Sequence, residues 1–557
     1  MKWTSTAKSL ARLLVMPLLA ILLAGNVRAA VSPVVYTRDG AIKGIEREQL
    51  DVFLGIPFAA PPVGKLRWRA PQPVHPWAGV LAATQYRPAC MQKGMYPPDA
   101  PLERISEDCL YLNIWKPARA NVKRLPVMVW IYGGGLENGS GAAPLYAGGA
   151  LAHRGVIVVT INYRLGVFGF LSLPALTAES GHHSSGNYGL MDQLAALRWV
   201  HDNIAAFGGN PDNVTVFGQS SGSISISALT ASPLARGLFE KAIGESGGLF
   251  EPMELASQLS LAGAEQQGEQ FMKRAGAGSL NDLRKVPAAK LLKVPFSPNI
   301  IIDGYVLPRA PWRIYADGKA NRVPLLIGWN ADEGAFFVGR HPVTPVNYRT
   351  RLDRTFPSLL VHLLAPAPGH TDASARAAFV KFNTDMRFRW DMWRWATLAV
   401  ERDDDPVYVY EFTRAPPFTA ASPYVGLGPA HGVEMEYVFD HLSPKAATWD
   451  EADRRLSAIM PAFWTNFAKT GTPNELPLPH WPRFEASHPD VMRFGTTIKA
   501  GPIGSIQLLQ RISEIYRASR DVMRFWPEMA LLALVTLAGL IAAIIQYRGR
   551  KQRRSGH

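Results

Sequence analysis

The chain has 557 residues, 47% of them apolar and 19% charged, with a formal net charge of +14. That composition excludes a disordered or fibrous chain and is enough for a large packed core. The charge is concentrated at the ends: four basic residues lie in residues 1–29 and five in residues 547–557, with no acid in either stretch, so the body carries only +5 and no nucleic-acid partner is expected.

At the N-terminus, Lys2, Lys8 and Arg12 precede an apolar run from Leu13 to Ala24. Val27 and Ala29 then stand where a signal peptidase reads small residues, so the pattern predicts a signal peptide over residues 1–29. The run is short for a membrane span; an uncleaved anchor is the alternative. Cys90 and Cys109 are the two cysteines, and an even pair in an exported chain suggests one disulfide, two free buried thiols being the other reading.

Leu125–Ile131 reads as a buried strand that runs into Tyr132-Gly133-Gly134-Gly135. Glycines there let backbone N–H groups turn towards one oxygen. Gly155–Ile161 reads as a second strand, and Met191–Ile204 has helical spacing with Leu194, Leu197 and Ile204 on one side. Val214–Phe217 is a strand, Ser223–Thr230 can start a helix, and Phe239–Ile243, Pro324–Gly328 and Val407–Glu411 continue the series. Such alternation predicts an α/β fold: a mostly parallel sheet with helices on both faces.

Between the third strand and the helix after it lies Gly218-Gln219-Ser220-Ser221-Gly222. G-x-S-x-G between a strand and a helix is a nucleophile elbow: the glycines let backbone approach closely and the serine hydroxyl is pushed out above the sheet. The N–H of Ser221, the residue after the nucleophile, is an expected oxyanion donor alongside the glycine loop. A second copy, Gly244-Glu245-Ser246-Gly247-Gly248, is followed by Leu249-Phe250-Glu251-Pro252, whose proline stops an early helix. Ser220 therefore has the elbow context, and Ser246 is expected to be a buried hydroxyl behind the site.

A serine in an elbow needs an acid and then a histidine further along the chain. Glu333 lies in Asn330-Ala-Asp-Glu-Gly334 just after a strand, with Asp332 as its competitor, and His431 lies in a loop after Val407–Glu411. Residues 340–400 look helical and rich in tryptophan (Trp390, Trp393, Trp395), read as core packing ahead of a cap over the site. Two glycosylation sequons, at Asn138 and Asn213, fall inside this framework, where a glycan would obstruct the site, and are read as chance matches.

Met529–Ile545 carries no charge, and at about 1.5 Å rise per residue it nearly spans a hydrocarbon core. Trp526 and Tyr547 flank it and five bases follow, so the tail is expected in the cytoplasm and the body on the periplasmic or extracellular side; a buried core helix is the alternative. The resulting plan is a signal peptide (1–29), a catalytic domain (30–515), a juxtamembrane linker (516–528), a transmembrane helix (529–546) and a basic tail (547–557).

These residues together resemble the type-B carboxylesterase family, which includes the cholinesterases, over about Val35 to Leu509. The resemblance rests on Phe53-Leu-Gly-Ile-Pro-Phe58, Leu66-Arg67-Trp68, Ser106-Glu-Asp-Cys-Leu-Tyr-Leu-Asn-Ile-Trp115, Asn162-Tyr-Arg-Leu-Gly-Val-Phe-Gly-Phe170, Gly186-Asn-Tyr-Gly-Leu-Met-Asp192, Phe207-Gly-Gly-Asn-Pro211 and Trp464-Thr-Asn-Phe-Ala-Lys-Thr-Gly471. It implies the α/β-hydrolase fold with helical cap insertions, and an ester substrate cleaved without metal or cofactor. It implies Ser220 as nucleophile, Glu333 as acid, His431 as base, and Gly134, Gly135 and Ser221 as oxyanion donors. It also implies a Cys90–Cys109 disulfide and a buried polar network containing Ser246 and Glu434.

The chain departs from that family at three places. Gln219 replaces a usual Glu before the nucleophile and Ser221 a usual Ala after it, which removes a negative charge beside the histidine. Leu136 stands where an aromatic commonly follows the glycine loop. No tryptophan lies between Cys90 and Cys109, where cholinesterases hold a quaternary ammonium, so poor choline-ester turnover is expected. A binding or adhesion module on the same scaffold, and a hydrolase of amides, carbamates or polyesters, are the competing expectations.

Overall fold

The structure, a computed structural model, describes residues 33–94, 104–118, 124–338, 341–401 and 405–525, together with residues 536 and 541. The expected signal (1–29), the apolar stretch 529–546 apart from those two positions, and the basic tail lie outside the described residues. Among the described residues no helix is long and apolar enough to cross a membrane.

One sheet of eleven strands organises the chain. Its members are β1 (Ile45–Arg47), β2 (Leu50–Pro57), β3 (Tyr111–Pro117), β4 (Leu125–Ile131), β5 (Ile157–Ile161), β6 (Gly209–Gln219), β7 (Lys241–Glu245), β8 (Leu325–Asn330), β9 (Val407–Phe412), β10 (Asp490–Phe494) and β11 (Ile498–Pro502). Their spatial order is β1-β2-β3-β5-β4-β6-β7-β8-β9-β10-β11. From β5 to β10 every neighbour is parallel. The pairings of β1, β2, β3 and β11 are antiparallel. The central strands are continuous apolar runs, such as IVVTI in β5, because a parallel strand is covered on both faces.

Successive residues of β6 point to opposite faces and show what covers each. The Phe217 ring meets Trp130 at 4.8 Å and Phe439 at 5.8 Å. Two residues on, Gln219 pairs in register with Glu245, whose carboxylate accepts from Trp464 on the helix Glu451–Thr470 at 2.8 Å. Gly218 faces the other way, where an added Cβ would meet Ile226 of the helix α1 (Ser221–Ala231). Trp395 of α2 (Trp390–Val400) lies on that second face, against Gly244. The three tryptophans of the 340–400 region are all buried, as core packing requires. Residues 506–525 form one helix, so the linker boundary expected at 515/516 falls inside it.

Two of the quoted motifs meet in one buried ion pair. The Arg164 guanidinium donates to both carboxylate oxygens of Asp192 at 2.7 Å, its backbone N–H adds a third bond at 3.0 Å, and both side chains are nearly solvent-free. Cys90 and Cys109 form a disulfide with a Cα–Cα separation of 5.0 Å.

Removing one partner of a buried pair leaves the other charge uncompensated. Asp192→Ala is therefore expected to cost about 3–5 kcal/mol in urea unfolding. A loss under about 1 kcal/mol would mean that water or another acid compensates Arg164.

Candidate active site

The elbow is built where β6 ends and α1 begins. Ser220 stands between them at φ 55° and ψ −126°, a conformation that L-residues rarely adopt. It is held there from both sides: its N–H donates to Glu245 O at 2.8 Å, and its carbonyl accepts from Ile224 N at 2.9 Å. The glycines of the motif answer to a single carbonyl. A Cβ on Gly222 would lie 2.0 Å from Ile131 O, and one on Gly218 2.5 Å from it. Any side chain at either position would push α1 off β4.

His431 reaches this serine from the loop after β9. Its Nε2 lies 2.8 Å from Ser220 Oγ, and its Nδ1 lies 2.6 Å from Glu333 Oε2. Glu333 opens the turn after β8 and is fully buried; its Oε1 accepts the Asn330 N–H at 2.7 Å. Asn330 also donates its amide to Ala430 O at 2.7 Å and to Glu434 Oε2, which ties the end of β8 to the histidine loop. Asp332 is not in this chain. Its N–H donates to Pro429 O at 3.0 Å, and its carboxyl faces a cavity lined by Arg376, Lys381 and Arg389.

Three phenyl rings enclose the imidazole: Phe388 at 4.6 Å between ring centres, Phe337 at 5.8 Å and Phe336 at 5.9 Å. Such a wall keeps water from the hydrogen-bonded pair and strengthens its electrostatics.

The glycine loop lies opposite. Gly135 and Leu136 both have positive φ, at 67° and 62°, which turns the loop back towards the elbow. Among the described residues nothing accepts a hydrogen bond from the N–H of Gly134, Gly135 or Ser221. The hydroxyl of Ser221 accepts the Leu136 N–H at 3.2 Å, and the Tyr163 hydroxyl donates to Tyr132 O at 2.9 Å. Gln219 is buried, with its amide nitrogen 3.4 Å from His431 Nε2, so a neutral amide borders the imidazole where the resemblance had a carboxylate.

Beneath the imidazole lie two further buried acids. Burial pushes Glu434 well above its usual range, and the nearby charges of Glu333 and Glu245 push it the same way. Burial also raises Glu245 to about 8, against the pull of its bond from Trp464. Ser246 is buried beside them at φ 55°, its N–H donating to Gly328 O at 2.8 Å and its hydroxyl meeting no partner among the described residues. Asn213 sits at the far end of β6 from Ser220, so a glycan there would not obstruct the site as the sequence suggested; its side chain is engaged by Lys241 and by Lys469 O.

A hydroxyl, an imidazole and a carboxylate in one hydrogen-bonded chain can pass a proton away from Oγ, and N–H groups turned towards one point can receive a developing oxyanion. Among the described residues no cluster of three or more His, Cys, Asp or Glu side chains could hold a metal. The sequence reading did not find Asn330, although it stands in the quoted Asn330–Gly334 segment, nor the phenyl wall, whose only local signal is the Phe336-Phe337 doublet after Glu333.

A profile of the Carboxylesterase family matches residues 31–507. Fumonisin B1 esterase of Sphingopyxis macrogoltabida is 40% identical over 479 residues, which cover 84% of this chain and 87% of that protein. Para-nitrobenzyl esterase of Bacillus subtilis (strain 168) is 39% identical over 478 residues, 81% of this chain and 92% of that one. A solved PNB esterase structure superposes with a TM-score of 0.75 at 34% identity, covering 86% of this chain and 99% of that chain.

The raised Glu245 gives a pH signature of stability. The folded state holds this proton more tightly than an unfolded chain with the ordinary value of 4.5, so the contribution is fully present below about pH 4.5 and is lost as the pH rises to about 8. Glu245→Gln keeps an acceptor for Trp464 and has no proton to lose. Between pH 5 and 8 the variant is expected to gain on the parent by about 3 kcal/mol in urea unfolding; parallel curves would show that Glu245 ionises without cost.

Proposed function

The chain belongs to the Carboxylesterase family and is a hydrolase of carboxylic esters; from that premise we propose a two-step acyl transfer with Ser220 as nucleophile, His431 as base and Glu333 as the acid that holds the imidazole. What carries the reading is the unbroken chain from Ser220 Oγ through His431 to Glu333, at 2.8 Å and 2.6 Å. His431 Nε2 takes the serine proton as Oγ bonds to the ester carbonyl carbon. The N–H groups of Gly134, Gly135 and Ser221 receive the negative oxygen. The bond to the alcohol oxygen then breaks, and the alcohol leaves with the proton from Nε2. Water, deprotonated by the same nitrogen, attacks the acyl-enzyme and frees the carboxylic acid and Ser220. Glu333, held by the Asn330 N–H, fixes the tautomer with hydrogen on Nδ1 and stabilises the imidazolium. Glu434, Ser246 and Gln219 act as the packed polar surround. No tryptophan, the strongest ring partner of a quaternary ammonium, lies between Cys90 and Cys109, which argues against choline esters.

The two ends complete the proposal from sequence alone. Residues 1–29 direct export, residues 30–515 are the catalytic domain, residues 516–528 lead to the membrane, residues 529–546 anchor the chain, and the basic tail 547–557 stays in the cytoplasm. The ester site then faces the periplasmic or extracellular side.

Ser220→Ala is expected to lower kcat/KM on p-nitrophenyl butyrate by at least about 10⁴-fold, while Ser246→Ala retains most of it. Substantial activity in Ser220→Ala, at unchanged protein purity, would refute the assignment. Removing residues 529–557 is expected to move the chain from the membrane pellet to the supernatant; a full-length chain already released by alkaline carbonate would refute the anchor.

A further inference from the structure

Between the helix Asp372–Thr384 and α2 the chain makes one π-helical turn, Asp385–Arg389. The wider turn is an irregularity that recurs at functional sites. Here it sets three consecutive side chains to different tasks. Arg389 is paired through both terminal nitrogens, donating to Asp385 at 2.7 Å and Glu411 at 2.9 Å. Phe388 packs on His431. Arg387 lies between two phenyl rings, its guanidinium carbon 4.8 Å from the centre of Phe337 and 5.2 Å from that of Phe356.

Phe337 is the ring that borders His431, so a single side chain separates the guanidinium from the imidazole. Nε of Arg387 donates to Asn383 Oδ1 at 3.2 Å. Its two terminal nitrogens meet no acceptor among the described residues, and no described carboxylate lies within 4.0 Å of them. That leaves a half-buried planar fork, held at its stem and stacked on aromatic faces, with both prongs free. Two parallel N–H groups of this kind match a carboxylate bidentately.

Glu251 is the acid that faces Arg387, and it is open to solvent. It does not cancel the guanidinium. It stands more than 4.0 Å from the terminal nitrogens and is screened by water, while burial raises its neighbour Asp391 well above the usual range. Burial lowers Arg387 as well, but from so high a starting value that the guanidinium keeps its charge.

We propose that Arg387 is a specificity-determining residue that binds a carboxylate carried by the substrate away from its scissile bond, so that the favoured esters are half-esters of dicarboxylic acids or acylated hydroxy acids. The proposal rests on ester hydrolysis at Ser220, and the stacked guanidinium one ring from His431 supplies the second point of attachment.

The test uses two matched pairs on the purified full chain: ethyl hydrogen adipate against ethyl hexanoate, and 6-acetoxyhexanoate against hexyl acetate. In each pair a methyl group replaces the carboxylate. The parent is expected to prefer the anionic member of at least one pair by about tenfold or more in kcat/KM, and free adipate to inhibit competitively. Arg387→Gln is expected to bring that ratio to within about threefold of one and to raise the inhibition constant of adipate about tenfold; Arg387→Lys, which keeps the charge without the fork, falls between. A parent that prefers the neutral member of both pairs, or a ratio that Arg387→Gln leaves in place, overturns the proposal. Hydrolysis of the neutral esters in the same assay separates this failure from failure of the Ser220 reading, which would leave every ester intact. Should Arg387→Gln not fold, adipate inhibition of the parent and its weakening in Arg387→Lys decide the matter, and absence of inhibition overturns it.

Discussion

The site depends on one close approach of backbone to backbone: the elbow must settle onto the carbonyl of Ile131. Gly218 and Gly222 both pack against that oxygen, at separations that admit no Cβ. Their contact brings the N-terminus of α1 down onto β4, which leaves Ser220 the only path between strand and helix, a left-handed one. A residue in such a conformation costs on the order of 1–3 kcal/mol, and it persists only where its surroundings over-determine it. Here they do so through bonds on both sides of the peptide, from Ile224 and to Glu245 O. The hydroxyl stands above the sheet, within reach of His431, because the backbone has no alternative.

The same economy governs the charges behind it. Three buried carboxyl groups, Glu333, Glu245 and Glu434, lie close enough to feel one another, and their joint ionisation would be prohibitive in so dry a place. They differ in what they are offered. Glu333 receives the imidazole on one oxygen and a backbone N–H on the other. Glu245 receives one indole N–H, and Glu434 one amide that it shares with Ala430 O. Burial drives Glu245 and Glu434 towards their neutral forms. Asp332, one residue away in sequence, is excluded by direction: the turn that points Glu333 inward points Asp332 to the cavity with Arg376, Lys381 and Arg389.

How much of this could be read from the sequence follows from the range of the forces involved. The strand at Leu125–Ile131 was read to the residue, because a parallel strand buried on both faces writes a continuous apolar run. Lys241–Glu245 is legible only at its start, because this central strand is short and ends in Gly244 and Glu245, whereas Asp490–Phe494 and Ile498–Pro502 lie at one edge of the sheet, where charged residues break the apolar run. In the site, Ser220 was legible because its geometry is enforced by neighbours two residues away. Glu333 and His431 needed chain order and a resemblance, since the contacts that join them span 98 and 211 positions. Asn330 could not be assigned a role at all: its work is a bridge to Ala430 and Glu434, about a hundred positions on, and nothing local distinguishes it from any loop asparagine. Arg387 was invisible for a related reason, since a π-helical turn has no sequence signature and the direction of a side chain within it cannot be derived from helical spacing.

Ser221 draws these lines together. An oxyanion hole in this fold has two halves, a glycine loop after β4 and the first N–H of α1, and they are far apart in sequence. Their mutual placement must hold to within a fraction of an ångström, because a donor displaced from the oxyanion loses most of its worth. In this chain one residue touches both halves of the proposed anion site. Ser221 offers its N–H at the start of α1, and its hydroxyl accepts the Leu136 N–H from the turn that closes the glycine loop. The start of the loop is held as well: the Tyr163 hydroxyl donates to the carbonyl of Tyr132, the residue on which β4 passes into the loop. Ser221 thus ties the elbow to the turn that closes the loop, and stacked Tyr163 ties down the residue that opens it. An alanine at position 221 would keep the N–H and lose the tie to Leu136, leaving the loop's position to the flexibility of its glycines. The departure from the usual residue thus reads as a mechanical coupling between the two halves of the proposed anion site, made with one oxygen atom.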